Sequence, residues 1–293
     1  MSLKTLIPTL FQEEWEKNLE NELVIDILSA TKYDAIVKRD GSDEINVRLP
    51  GEVSVKRWSG GDLEDPEKVA SSIAKIKVDK GCQINFSLDR AQAIQISGAS
   101  LKEAKRLAGV YSHDAVQKFA ENIDRDLGKL YPTAGIFMAG ESNAALSLTV
   151  DNAAKFLSIM KARFSRAKAW KTGKMVAVCP PELTALFNQV PGLMNSEKGF
   201  EDRKKGFVRE LAGWKIYESN NIAADSSDDE IFYPLFGIRG ESTASAKEKN
   251  IDLIHYIPEK SLDDAFKGAG MYGIGCPRPD KLGTAKVKVQ LSM

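Results

Sequence analysis

Between Leu101 and Leu130 the chain repeats apolar residues at helical spacing for about thirty positions, and this feature restricts its fold most. The repeating positions are Leu101, Ala104, Ala108, Tyr111, Ala115, Phe119, Ile123, Leu127 and Leu130. At about 1.5 Å per residue the pattern predicts one helix roughly 45 Å long. A helix of this length crosses a whole domain, so we expect the other elements to be arranged along it.

Shorter predicted helices and strands precede and follow this helix. Helices are predicted over residues 10–30, 65–75, 89–97, 151–164 and 180–187, and strands over 82–88, 174–179, 207–211, 214–218, 231–238, 251–257 and 284–291. The first helix carries an apolar stripe that includes Trp15, Leu19 and Leu23, and this stripe needs a packing partner. Because helices and strands interleave irregularly, the predicted fold class is α+β with mostly antiparallel sheets.

Residues 34–62 are predicted to form an extended β arm, with a hairpin and a turn at Pro50. The arm has too few large side chains to build its own core, so we expect it to project and pack on another surface. Interfaces favour Trp and Arg, which makes Arg57 and Trp58 candidates for a contact with an adjacent subunit. Burial at the base of the arm within one subunit is the alternative. Trp15 is a third candidate contact residue.

The composition is that of an ordinary globular protein. The 293 residues suffice for one large or two modest domains. Forty-one basic residues balance 41 acidic ones, so net charge indicates neither a nucleic acid nor a membrane as partner. Three cysteines without a C-x-x-C pair favour a reducing compartment over a disulfide framework. The first residues do not resemble a secretory signal, which predicts a cytoplasmic origin.

Residues 268–273, GAGMYG, match the letters of the dinucleotide-binding pattern G-x-G-x-x-G. In that motif a strand precedes the glycines, and the phosphates bind at the N-terminus of the helix that follows. Here we predict a helical segment over 262–267 before the glycines, and Pro277 and Pro279 prevent a helix after them. The context therefore argues against a cofactor site, although a nucleotide- or NAD-dependent enzyme remains an alternative function.

Other motifs for chemistry are weak. Residues 161–174 hold six basic side chains with Phe164 and Trp170, which fits either nucleic-acid binding or a solvated helix end. The acidic residues 225–230 could hold a cation or simply lie in solvent. The two histidines lack metal-ligand spacing, and no G-x-S-x-G motif is present. We predict no catalytic residue, cofactor or metal, and no enzymatic activity.

The order of the elements resembles the major capsid protein of tailed bacteriophages, whose fold is shared with encapsulin compartments. The segments that carry the resemblance are INFSLDRAQA (84–93), NIDRDLGKLY (122–131), VDNAAKFLSIM (150–160), KMVAVCPPELTALF (174–187) and KGFVRELAGWKIYESNNI (205–222). The resemblance implies an N-terminal arm over 1–33, an extended β loop over 34–62, and a peripheral domain with its spine helix over 63–147. It further implies an axial domain over 148–250 and a returning segment over 251–293 that completes the axial and peripheral sheets.

The function implied by this resemblance is that of a structural major capsid protein that self-assembles into an icosahedral shell around double-stranded DNA. Its implied partners are other copies in hexamers and pentamers, scaffolding, portal or decoration proteins, and DNA packaged without sequence specificity, with no membrane. The implied location is the virion, assembled in the host cytoplasm. An encapsulin-like compartment is the alternative within the same fold, and a monomeric nucleic-acid-binding protein is an alternative outside it.

Overall fold

The computed structural model describes residues 15, 19, 22–30, 33, 44–49, 57, 69, 71–88, 101–190, 206–228, 230–248, 251, 253–259 and 263–290. The α-helices described over their whole length are α1 (Leu101–Gly128), α2 (Val150–Arg166) and α3 (Pro181–Gln189). The predicted long helix is confirmed as α1, which ends two residues before Leu130. A capping box of Thr149 and Asn152 begins α2, and Pro181 in the first turn begins α3.

The described strands form four sheets. The strands are β1 (Ser29–Ala30), β2 (Glu44–Leu49), β3 (Ser72–Lys77), β4 (Lys80–Leu88), β5 (Ile136–Met138), β6 (Leu146–Leu148), β7 (Met175–Cys179), β8 (Phe207–Leu211), β9 (Trp214–Glu218), β10 (Ile231–Phe232), β11 (Leu235–Ile238), β12 (Thr243–Lys247), β13 (Ile254–Tyr256), β14 (Asp264–Gly275), β15 (Leu282–Ala285) and β16 (Val287–Val289). The largest sheet has the order β5-β15-β11-β7-β9-β8. Strand β14 is the centre of a five-stranded sheet, with β4 along one edge and β12 and β13 along the other. A three-stranded sheet, β10-β16-β6, and a β2-β3 ribbon complete the set. The predicted α+β class is thus confirmed.

Each large sheet shares a core with helices. In the second half of α1, Phe119, Ile123 and Leu127 are almost fully buried and share a core with the five-stranded sheet. The residues of α2 and α3 share a second core with the six-stranded sheet, where Trp214 stands edge-on to Phe164. These two clusters define a unit built on α1 and a unit built on α2 and α3.

The predicted N-terminal helix is wrong in its last part. The described residues 15, 19 and 22 are helical, but Ile25–Leu28 form a 3-10 turn and β1 follows directly. Strand β1 pairs in parallel with β12, through Ser29 opposite Thr243. Tertiary pairing with a distant strand therefore overrides the helical period, and residues 10–14, 16–18, 20 and 21 lie outside the described residues.

Several other predicted elements differ from the structure. The helix predicted over 65–75 is wrong where it can be compared, because β3 occupies Ser72–Lys77. The helical segment predicted over 262–267 is also wrong where it can be compared, because residues 264–267 belong to β14, and the predicted strands missed β12 altogether. The partner of β2 is β3, in an antiparallel register that pairs Ile45 with Ile76. The predicted hairpin partner at 34–38 and the helix over 89–97 lie outside the described residues.

Candidate inter-subunit surfaces

Strand β2 lies within the predicted β arm (34–62) and pairs with β3, which lies outside that range, and the β2-β3 ribbon is anchored on its own chain. Ile45 and Val47 on one face are buried in a cluster with Tyr33 and with Ala244 and Ala246 of β12. For residues 44–49 of the arm, this corrects the expectation that its apolar side chains depend on another surface. The opposite face is polar and exposed, with the side chains of Glu44, Asn46, Arg48, Lys75 and Lys77 and the apolar Ile73. This outer face is available to a neighbouring molecule.

The three predicted contact residues have different settings. Trp15 is 0% exposed, and its ring lies 5.2 Å from that of Phe119 on α1. The apolar stripe of the N-terminal helix thus finds its partner within the same chain, and any influence of Trp15 on a contact between copies is indirect. Arg57 is exposed, as a contact residue requires, and Trp58 lies outside the described residues. The inter-subunit role of these residues stays a prediction.

A cleft of about 400 Å³ lies beside the ribbon and joins distant parts of the chain. Its walls include Arg48 and Leu49 at the end of β2, the turn at Glu241, and Arg278. The carboxylate of Glu241 is neutralised by Lys171 at 2.6 Å and by Lys281 at 3.5 Å. Within the described residues no ion pair neutralises Arg48 or Arg278, so the cleft presents two positive charges to solvent. Sequence reasoning missed this site, because its two arginines come from opposite ends of the chain.

The motifs considered for other functions are accounted for by packing and ion pairs. Phe164 is fully buried, and the half-buried Trp170 packs edge-on against the buried Trp214 with Nζ of Lys161 4.9 Å from its ring centre, so both rings have partners within the chain. Of the acidic residues 225–230, Asp228 and Glu230 both bind Lys288. No cluster of metal-ligating residues occurs in the described part of the chain. None of the described helices is long and apolar enough to cross a bilayer.

The GAGMYG segment lies entirely inside β14. Gly268 pairs with Ile84 of β4, and Gly273 pairs with Ala246 of β12. Residues 268–272 pair with β4 and residues 272–273 pair with β12, so the segment is part of a strand ladder, whereas a phosphate site needs free N–H groups at a helix start. The element after β14 is a three-residue 3-10 turn, Pro279–Lys281. The segment therefore has the geometry of a sheet core and lacks that of a dinucleotide site.

Comparisons with known proteins give matches in structure but not in sequence. No protein-family model and no curated protein matches the chain. A structure from Mycobacterium phage Che8 matches with a TM-score of 0.62 and 16% identity, over 90% of each chain. The capsid of Ralstonia phage GP4 matches at 0.63 and 10%, over 90% of this chain and 87% of the other. The mature capsid of bacteriophage PhiM1 matches at 0.60 and 16%, over 92% and 88%. At these identities the matches establish the fold, and the chain has the fold of bacteriophage capsid proteins.

Proposed function

We propose that this chain is the major capsid protein of a bacteriophage and assembles into a closed shell. The observation that carries the proposal is the fold, which capsid structures share over about 90% of the chain. The proposed role is structural. It is consistent with the sequence motifs at 161–174, 225–230 and 268–273, whose described side chains and backbone take part in packing, ion pairs and strand pairing. The virion is the proposed location, with assembly in the host cytoplasm and double-stranded DNA as the enclosed material. Scaffolding, portal and decoration proteins remain predicted partners.

The domain roles follow the same proposal. The unit built on α1 serves as the peripheral domain, and the unit built on α2 and α3 serves as the axial domain that meets its copies in pentamers and hexamers. The exposed outer face of the β2-β3 ribbon and the exposed Arg57 are the surfaces offered to neighbours. A stable shell needs about 1,200 Å² or more at each principal contact, and each subunit makes several such contacts. The boundaries predicted at residues 33, 62, 147 and 250 stay predictions.

A second candidate within the same fold is a compartment that encloses protein cargo. A virus-like particle from Pyrococcus furiosus matches with a TM-score of 0.50 and 11% identity, over 95% of this chain and 97% of the other. The two candidates differ in what the shell holds. Mass spectrometry of the proteins and sequencing of the nucleic acid in particles purified from the native source separate them, because a co-purifying enzyme indicates a compartment and phage DNA indicates a virion.

The cleft that contains Arg48 and Arg278 allows a mutational test of the contacts between subunits. In the variant carrying both Arg48→Glu and Arg278→Glu, two unneutralised positive charges become negative, and we expect the protein concentration needed for assembly to rise at least tenfold. Sedimentation velocity measures this concentration. The matched control carries Arg48→Lys and Arg278→Lys, which keeps the charge and should assemble close to wild type. Equal assembly by the glutamate variant, with an unchanged melting temperature, would remove the cleft from the set of contact surfaces.

A further inference from the structure

Asp124 on α1 is a buried acid that holds the N-terminal segment by its backbone. Its side chain is 1% exposed. One carboxylate oxygen accepts the N–H of Val24 at 2.8 Å, and the other accepts the N–H of Ile25 at 3.2 Å. These N–H groups belong to the start of the 3-10 turn Ile25–Leu28, which has no side-chain cap of its own at Val24. Asp124 therefore caps the turn and joins it to α1.

Among the described residues, no positively charged side chain pairs with Asp124. From the 3-10 turn the group that faces it is Asp26, itself an acid. The Asp26 carboxylate is bound by Ser245 at 2.5 Å and by Lys247, both on β12. Lys247 thus pairs with Asp26, and the hydrogen bonds that Asp124 accepts within the described residues come from backbone N–H groups.

Asp126, the next acidic residue along α1, has positively charged partners. Asp126 accepts hydrogen bonds from Lys80 at 2.8 Å, from Lys129 at 3.1 Å and from Tyr272 at 3.0 Å. Burial alone would raise the pKa of Asp126, but these hydrogen bonds outweigh it and lower the pKa. The two acids are two residues apart on the same helix, but their pKa values shift in opposite directions. Burial dominates at Asp124, and hydrogen bonds from Lys80, Lys129 and Tyr272 dominate at Asp126.

We propose that Asp124 is a proton-linked latch: docking of the segment 22–28 on α1 is favoured when the carboxyl group is neutral, because the docked site then buries no negative charge. The latch is a property of the single chain and does not depend on the proposed shell function. It acts on the stretch that connects the N-terminal helix, which carries Trp15, to β1. The downstream side of this stretch is held separately, by the pairing of Ser29 with Thr243. Opening of the latch therefore frees the chain ahead of β1 while β1 stays in place.

The sign of the pH effect follows from the change in burial. Burial, with a smaller contribution from the nearby Asp26 charge, raises the pKa of Asp124 to about 7, and the backbone hydrogen bonds from Val24, Ile25 and Asp26 offset only part of this rise. When the segment leaves α1, the carboxyl group reaches water and its pKa returns to about 4. The docked form then binds one proton more than the open form between about pH 4 and pH 7. Docking is accordingly favoured at mildly acidic pH and weakens as the pH rises to neutrality.

The test is hydrogen exchange of the full-length protein from pH 5 to pH 8, with rates corrected for intrinsic exchange. We expect protection of the amides in residues 22–28 to fall about tenfold per pH unit from 5 to 7 and to level off above that. Asp124→Asn, which imitates the protonated form, should be nearly independent of pH. The matched control Asp126→Asn should keep the wild-type profile.

Two outcomes would overturn the latch. One is a wild-type profile that is flat across this range, and this outcome remains decisive even if Asp124→Asn fails to fold. The other is a folded Asp124→Asn protein that keeps the wild-type slope, because another group would then be responsible for it.

Discussion

Gly273→Ala is expected to lower the free energy of unfolding by about 3 kcal/mol, at the upper end of the cost of overpacking a core. A Cβ atom at Gly273 would lie 2.5 Å from the carbonyl oxygen of Lys77 and 3.0 Å from the Cα of Val78. Both are backbone atoms at the junction of β3 and β4, so no side-chain rotation relieves the contact. Urea unfolding followed by circular dichroism measures the effect.

Gly275→Ala, in the same strand, is the matched control for this change. Its Cβ atom would lie 3.2 Å from Cγ1 of Ile76, which is a side-chain atom that can shift slightly. We expect a loss of about 1 kcal/mol or less. If both variants lost the same stability, the close approach of β14 to the β3-β4 junction would be refuted. A dinucleotide site predicts a different pattern, in which Gly273→Ala leaves stability nearly unchanged and abolishes NAD binding measured by calorimetry.

Lys247→Met is expected to cost about 3–5 kcal/mol, because it leaves the negative charge of Asp26 buried without its partner. Asp26 and Lys247 are 7% and 2% exposed, and their ion pair joins the N-terminal turn to β12. The hydroxyl group of Ser245 alone cannot compensate the remaining charge. Thermal and urea unfolding of the purified variant measure the loss.

Two further variants check this interpretation. Asp26→Leu combined with Lys247→Met removes both charges, and it should recover most of the lost stability. Lys75→Met removes the lysine of an exposed pair with Glu44 at 2.6 Å, and it should leave stability almost unchanged. A Lys247→Met protein as stable as the Lys75→Met protein would show that the buried pair is not a structural requirement.

The elements predicted well are those whose signals are local. The apolar period of α1, the capping pair that begins α2 and the proline that begins α3 all act within a few residues. The β8-β9 hairpin is equally local, because its turn places Ala212 and Gly213 at positive φ angles of 52° and 86°. Such elements can be predicted from neighbouring residues alone.

The elements missed depend on distant partners. Strand β14 is rich in glycine, which has low strand propensity, and it is extended because β4 and β12 pair along its edges. Its glycines allow other chains to approach closely, as Gly273 does at the β3-β4 junction. The two-residue strand β1 forms only because β12 lies beside it. No pattern within a short window contains this information.

The candidate sites also divide into those with a local sequence signal and those that depend on distant residues. The exposed Arg57 could be nominated from the sequence because Arg is common in interfaces, whereas the cleft required the fold to bring Arg48 and Arg278 together. Asp124 had a local signal, since it is an acid on the buried face of α1 between Ile123 and Leu127. An acid at such a position indicates a special hydrogen-bonding role, although its partners at Val24 and Ile25 could not be inferred.

Electron microscopy of the purified protein, expressed alone and with candidate scaffolding proteins, tests the central claim most directly. The capsid proposal predicts closed particles of uniform diameter, in which each subunit makes several contacts with its copies. A protein that stays strictly monomeric under every assembly condition, while folded as judged by circular dichroism, would contradict it.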